Sequence, residues 1–440
     1  MIVIPNIKGQ KYAVLGLGKS GFATAATLRA SGADIVLWDD NDKARAQAEQ
    51  EGYRVEDLGR LTPKDFRALV LTPGIPHTFP KPHPMVVPFQ KAGIDIIGDI
   101  ELLFRACPDA IYIGITGTNG KSTTTALIGH ILKSAGRQVQ IGGNLGTPVL
   151  SLEPLGRDGI YVLELSSYQL ELIKQNPLSI GVLLNITPDH LDRHGGMQGY
   201  IDAKIRIYNM AIKPMTLVMG TEEPETRALA LQASKQRNVS VKRIEDLALD
   251  KKVRANKLPA LPGSHNWQNA RAAFLACQTL GLDDTTIIDG LKTFPGLAHR
   301  QQLIAESGGV RFVNDSKATN AEAAGKALAC YDNIYWIIGG KSKEGGLNGL
   351  EHLMTHVRRA FLIGAASDDF AAWCRGKIDA TACGTLNKAV EQAAAMAWRD
   401  KRPGAVVLLS PACASFDQFN NFEERGRIFA ALVEKLRPSA

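Results

Sequence analysis

The sequence predicts an α/β protein of three domains, and three observations predict it. Apolar runs of strand character alternate with helical stretches along the whole chain, which implies parallel sheets. At 440 residues the chain exceeds one hydrophobic core, since a domain takes about 100–200 residues. Two glycine-rich turns, near Gly16 and Gly117, each follow an apolar run and open a helix.

The first domain reads as strand, turn, helix, strand. "KYAVLGLG" is an apolar run ending in glycines, and "FATAATLRASG" is a helical stretch stopped by Gly32. "ADIVLWDD" is a second strand, and "LVLTPGIP" a third that ends in a turn; the pattern closes near residue 100. Gly16-Leu17-Gly18-Lys19-Ser20-Gly21 fits G-x-G-x-x-G, whose glycines let the backbone approach a diphosphate at the helix N-terminus. Asp39 or Asp40 stands where a ribose-binding acid belongs, which taken alone suggests NAD. The motif reports a diphosphate pocket without saying which diphosphate, and a tight turn with no ligand is the plainer alternative.

The second domain, 101–298, opens with the strand "AIYIGITG" and the loop Gly117-Thr118-Asn119-Gly120-Lys121-Ser122-Thr123. A G-x-x-x-x-G-K-[ST] loop would carry a glycine where Ile115 stands. The mechanics survive that change: amides and the helix dipole hold phosphates, Lys121 reaches the terminal ones and Ser122 ligates Mg²⁺. Strand runs recur at "GIYVLEL" (159–165) and "SIGVLLNIT" (179–187). Glu164 ends the first, and Asp189, His190, Asp192, Arg193 and His194 follow the second. Ligands gather at the C-terminal ends of parallel strands, so Glu164 and His190 would lie beside Lys121. A carboxylate there suits Mg²⁺; for the histidine cluster, capping a surface helix is the alternative. "LPALPGSHN" (258–266) is a loop, a helix follows from about Trp267 to Leu280, and a boundary falls near Ala298. The third domain, 299–440, repeats the alternation in "GVRFVND", "NIYWIIGG", "RAFLIG" and "AVVLLSP".

Composition narrows the function. Apolar content of 45% and charged content of 22% are ordinary for a soluble globular protein. No run approaches about 18 apolar residues, and the N-terminus lacks the basic region and cleavage site of a signal peptide. Six cysteines are scattered with no C-x-x-C pair, which argues against zinc or disulfides and fits a reducing cytosol. The net charge of +7 is dispersed, so phosphorylated small molecules explain it as well as nucleic acid does. The expectation is a cytoplasmic monomer with neither a nucleic-acid nor a membrane partner.

Several motifs in order resemble one family. "GTNGKST", "GGNLG" (142–146), "LELSSYQL" (163–170), "DHLDRH" and "HNWQNA" (265–270) together are similar to the Mur ligases, which use ATP to build the peptide of bacterial cell-wall precursors. "NDSKATN" (314–320) and "LSPACASFDQFNNFEERG" (409–426) resemble the branch that adds D-glutamate. The resemblance implies a Rossmann-like N-terminal domain, a central P-loop-type ATP-binding sheet and a C-terminal Rossmann-like domain. It implies UDP-N-acetylmuramoyl-L-alanine and D-glutamate as partners, and ATP with two Mg²⁺ ions as cofactors. The turn Gly16 to Gly21, with Asp39, would then cradle a UDP group, while Asn144 and Ser166 contact the rest of that substrate. Ser122 and Glu164 match ligands of one Mg²⁺; His190 and Lys204, the latter as a carbamate, match ligands of the second. Asn266 and Asn269 match adenine contacts, Arg300 and Asp315 ribose contacts, and Lys317 a phosphate contact. Thr319, Lys343, Ser415 and Phe422 match the D-glutamate pocket, with Lys341 as the other candidate for the lysine. Lys121, His190 and Lys204 carry the catalytic expectation. Competing readings are a folylpolyglutamate synthase-like ligase, an NAD-dependent dehydrogenase and a P-loop NTPase that couples ATP to movement.

Overall fold

The computed structural model describes residues 2–144, 146–254, 258, 260–342 and 345–436. The first sheet contains β1 (Lys11–Leu15), β2 (Asp34–Trp38), β3 (Ala68–Leu71) and β4 (Asp95–Ile97), all parallel, in the order β2-β1-β3-β4. From β1 the chain passes to β2 on one side and later to β3 on the other. The crevice at that reversal lies at the end of β1, where the Gly16–Gly21 turn begins, and it is the usual place for a ligand in such sheets.

The central sheet contains β5 (Ile111–Thr116), β6 (Val139–Gly143), β7 (Ile160–Glu164), β8 (Ile180–Leu183), β9 (Met215–Met219) and β10 (Val239–Arg243). Its order is β10-β9-β8-β5-β7-β6, again wholly parallel. β5 is therefore flanked by β7 and β8. The C-terminal ends of these three strands, with Gly117 just after β5, Glu164 closing β7 and Asn185 just after β8, lie at one end of the sheet.

The first and central sheets share a core. Tyr12, Ile100, Tyr112, Leu150, Tyr161 and Tyr208 belong to one buried cluster. Buried Glu101, on the helix Asp99–Ala106, accepts the amides of Lys174 (2.9 Å) and Gln175 (3.3 Å). Residues 1–257 and 265–293 accordingly form one compact unit; residues 258–264 and 294–440 form another.

The second unit holds the third sheet: β11 (Gln302–Ser307), β12 (Val310–Asn314), β13 (Ile334–Gly339), β14 (Val357–Ile363), β15 (Ala380–Gly384) and β16 (Val406–Leu409), in the order β11-β12-β16-β13-β14-β15. Alternate β13 residues enter two cores, Trp336 and Ile338 on one face, Tyr335 and Ile337 on the other. This is why "IYWIIG" reads as a continuous apolar run. β11 is an antiparallel edge strand whose side chains are only partly buried, so it lacks that signal and is absent from the sequence-based alternation. Among the described residues no helix is long and apolar enough to cross a membrane.

Candidate functional site

The loop after β5 is built on two positive-φ glycines, Gly117 (φ 151°) and Gly120 (φ 85°). A side chain at Gly120 would also collide with Asn269, whose Oδ1 would lie 2.3 Å from the added Cβ. Loop amides are fixed from the segment after β8: Thr118 N donates to Asn185 O (3.0 Å) and Asn119 N to Asn185 Oδ1 (2.8 Å). Asn185 Nδ2 reaches Asn119 O and Gln268 Oε1 in turn. The Thr118 hydroxyl lies 3.0 Å from Thr187 O and 3.1 Å from the Tyr200 hydroxyl. The helix Lys121–Ser134 starts directly after Gly120, with Ser122 buried and Thr123 half-buried in its first turn. Asn269 accepts the Thr124 hydroxyl (3.2 Å), which sets it against this helix, and donates to Asn266 (3.0 Å) on its own helix, Ser264–Thr279. Sequence reasoning missed Asn185 and Gln268. Asn185 had one signal, a polar residue just past a buried parallel strand.

Glu164 pairs in register with Ile115, so it stands at the end of the sheet from which the loop leaves β5. Its Oε1 accepts Asn144 Nδ2 (2.7 Å), while its buried Oε2 has no hydrogen-bond partner. A buried acceptor left unsatisfied is costly, and a hard cation would satisfy it. Lys204 is 1% exposed; its Nζ donates to Gly117 O (2.9 Å) and stands 4.6 Å above the Tyr200 ring. Lys121 Nζ donates to the same carbonyl and to Thr118 O, each at 2.9 Å. Burial first, and the Lys121 charge second, push the Lys204 amine well below the usual lysine value, with Asp189 opposing. The sequence also suggests Arg206 as a cation aiding Lys204. Arg206 is instead committed to Leu170 O (2.8 Å) and Ile173 O (2.6 Å), because residues two apart on a helix face different ways.

His190 has a positive φ of 51° and is half exposed, 3.5 Å from Asp189 and with its ring 5.3 Å from that of Tyr168. Among the described residues no group of three His, Cys, Asp or Glu is placed to hold a metal. Mg²⁺ does not require one, since it commonly takes one or two protein ligands together with phosphates and water. Ser166 has a structural task as well: it caps the helix Ser167–Glu171 in a reciprocal box with Gln169.

In the first turn, Gly16 (φ 96°) and Gly21 are required by packing. An added Cβ would lie 2.0 Å from Thr72 Oγ1 at Gly16 and 1.9 Å from Gly16 O at Gly21. Gly18 caps the helix Lys19–Ala30, and the space a Cβ would take there is open. Leu17 is buried, Lys19 exposed and Ser20 half-buried. Asp39 accepts the Leu17 amide (2.5 Å) and the Asn41 amide (2.8 Å), binding the turn to the end of β2. Asp99, not foreseen from sequence, lines a small cleft with Ser20, Thr24 and Thr72, and burial raises its carboxyl to about 6.

In the second unit, Asp315 is buried at the end of β12. It accepts the Ser410 hydroxyl (2.7 Å) and the Gln301 amide (3.2 Å), and burial raises it to about 7 against those bonds and Arg300. Lys317 Nζ stands 3.9 Å above the Phe422 ring, and its amide donates to His299 O. Wholly buried Arg425 ties these pieces together, donating to Ser316 Oγ and to the carbonyls of Ser316 and Cys413. Ser415 is buried, Thr319 half-buried and Arg300 exposed. Lys341 pairs its backbone with Ala414, next to Ser415. Lys343 lies outside the described residues.

Residues 115–277 match the Mur ligase middle domain, and residues 299–413 the Mur ligase glutamate ligase domain. Residues 6–77 match the NADPH-binding domain of acetohydroxy acid isomeroreductase, a likeness that covers the first glycine turn. Over its length the chain is 48% identical to a UDP-N-acetylmuramoylalanine–D-glutamate ligase of Rhodospirillum rubrum, covering 99% of this chain and 97% of that one. It is 47% identical to the ligase of the same name from Paramagnetospirillum magneticum, over 99% and 98%. In fold it resembles a UDP-N-acetylmuramate–alanine ligase of Thermotoga maritima (TM-score 0.56, 15% identity, 97% and 99% covered). It also resembles a MurF from Acinetobacter baumannii (TM-score 0.55, 18% identity, 98% and 92% covered).

Proposed function

The chain belongs to the Mur ligase family, and from that premise we infer that it joins D-glutamate to UDP-N-acetylmuramoyl-L-alanine with ATP, in the synthesis of peptidoglycan precursors. A carboxylate and an amine do not condense in water. Transfer of the ATP γ-phosphoryl group to the substrate carboxylate gives an acyl phosphate. The D-glutamate amine, in its neutral form, then adds to the acyl carbon, and the tetrahedral intermediate expels phosphate and gives up the amine proton to leave the amide. Phosphoryl transfer asks the protein for position and charge neutralisation more than for a nucleophile.

The observation that carries this chemistry is the convergence of the Lys121 and Lys204 ammonium groups on the Gly117 carbonyl, with Glu164 at the end of the neighbouring strand β7. The amides from Gly117 to Thr123 and the helix behind them would hold the ATP phosphates. Lys121 would exchange a loop carbonyl for a phosphate oxygen. Asn266 and Asn269 would take the adenine. We assign Ser122 and Glu164 to one Mg²⁺, and His190 with a carbamylated Lys204 to a second. Bound there, the ions would neutralise charge on the transferring phosphoryl group. The unpartnered Glu164 oxygen supports the first assignment and the suppressed Lys204 charge the second.

The turn from Gly16 to Gly21 would hold the UDP diphosphate over the open position at Gly18. Asn144 and Ser166 would meet the muramoyl-alanine end of the same molecule. Arg300 and Asp315 are proposed for the ATP ribose and Lys317 for a phosphate. Thr319, Lys343, Ser415 and Phe422 are proposed for D-glutamate. Domain limits near residues 100 and 298, a monomeric state and a cytoplasmic location belong to the same reading. The test is ADP release measured with ATP alone and with each co-substrate added. Release should require both D-glutamate and the UDP-sugar, and release with ATP alone would overturn the reading.

A further inference from the structure

Three side chains outside the proposed ligand set form a line at the base of this site. Ser167 Oγ lies 2.9 Å from His194 Nε2, and Glu171 Oε1 lies 3.2 Å from His194 Nδ1. The order serine, imidazole, carboxylate is that of a nucleophilic triad. Ser167 and His194 are each only 3% exposed, however, so no substrate carbonyl can reach that hydroxyl.

We propose that His194 is a positioning residue, clamping the segment that carries Glu164 and Ser166 to the segment that carries His190 and Lys204. The proposal rests on the reading that those residues form the Mg²⁺ and phosphate site. The Glu171 carboxylate can only accept, so Nδ1 donates to it, while Nε2 bonds the Ser167 hydroxyl. One end of the clamp is thus the helix Ser167–Glu171, which begins directly after the Ser166 cap and three residues after Glu164. The other end is the turn of helix Leu191–His194, which begins directly after His190. Gly195 (φ 70°) and Gly196 (φ 109°) then swing the chain into the helix Met197–Asn209, which carries Lys204. This corner is closed tightly: a Cβ at Gly199 would lie 1.9 Å from His194 O.

The aromatic neighbours extend the clamp to the reacting groups. The imidazole is flanked by Tyr168 (centroids 5.3 Å, planes 24° apart) and Tyr200 (5.4 Å, 46°). Tyr200 in turn bonds Thr118 of the phosphate loop and underlies the Lys204 amine. A shift of His194 therefore moves Tyr200, and with it both the loop and the lysine. Arg193 supports the carboxylate end, 3.7 Å from Glu171 Oε2 and stacked over Tyr168. Groups that orient ligands from behind in this way typically cost about 10–100-fold in metal affinity or activity when removed.

The test compares Ser167→Ala, Glu171→Gln and His194→Gln in the full-length enzyme. It measures kcat, KM for ATP, the Mg²⁺ concentration at half-activity and the melting temperature. Ser167→Ala removes one oxygen and keeps the fold. It should lower kcat or raise the half-activating Mg²⁺ by about 10–100-fold. His194→Gln should behave alike, and Glu171→Gln more mildly, because its amide oxygen still accepts from Nδ1. Wild-type kcat and Mg²⁺ dependence in Ser167→Ala, or variants that lose only thermal stability, would overturn the clamp. Glu164→Gln measured alongside separates the two claims: wild-type Mg²⁺ dependence in that variant would overturn the site reading itself.

Discussion

The Lys204 ammonium nitrogen lies 2.9 Å from the carbonyl oxygen of Gly117, 87 residues earlier in the chain, and the Lys121 ammonium donates to that same oxygen. Two cations on one carbonyl, one of them buried, favour loss of a proton from the buried one. A neutral amine is the form that adds CO₂ and becomes an anion able to hold a metal.

The first prediction concerns that amine. Lys204→Ala should be nearly inactive, and a small added carboxylic acid should restore part of the activity by occupying the vacated space. Enzyme equilibrated with ¹³C-bicarbonate should show a carbamate carbon that is absent from the variant. Full activity of Lys204→Ala in bicarbonate-free buffer would refute the role.

Lys121→Ala should lower kcat by about 10²–10³-fold, the usual loss when a group stabilising transition-state charge is removed. Its melting temperature should stay close to the parent's, since the loop is braced independently by Asn185, which bonds the amides of Thr118 and Asn119. Near-normal turnover would show that the phosphoryl charge is balanced elsewhere.

Asp99 makes stability depend on pH in a definite direction. Its carboxyl is raised from 3.8 to about 6 by burial, so the folded state binds this proton more tightly than the unfolded chain. The stabilisation is full below pH 3.8 and is lost as pH rises through about 6. The difference amounts to about 3 kcal/mol. Asp99→Asn keeps an acceptor for the Ile100 amide and carries no charge. Denaturant unfolding should find it more stable than the parent at pH 8 and equal at pH 3.5; the opposite trend would mean that Asp99 ionises without cost.

The first glycine turn should bind the UDP-sugar and not NADH. Its likeness to an NADPH-binding domain is what a diphosphate cradle would produce, since either ligand would use one. Gly16→Ala forces a methyl group into Thr72 at a positive φ. Calorimetry should show UDP-sugar binding lost in that variant with ATP binding kept. Tight binding of NADH to the parent protein would revive the dehydrogenase reading.

Much of this protein was legible in its sequence because the signals are local. Gly16 and Gly120 sit in turns that need a positive φ, a strand precedes each turn and a helix follows. Buried parallel strands such as β13 read as apolar runs, and polar residues at their ends mark the ligand-facing edge. Those signals marked Lys121, Glu164 and His190 as candidates, the family resemblance added Asp315, and the ordered motifs were enough to name a family. What only the tertiary structure decided depends on contacts far apart in the chain. The half-exposed edge strand β11 has no periodicity to betray it. The joining of two sheets into one compact unit rests on a core spread from Ile2 to Val239. Arg206 follows Lys204 by two residues, yet helix geometry turns it toward other partners, and the cation that suppresses Lys204 is Lys121. His194 looked like one more residue in a polar cluster until folding set it between Ser167 and Glu171. Periodicity and turn chemistry act over a few residues and can be read from the chain; desolvation, charge pairing and side-chain clamps exist only once distant segments meet.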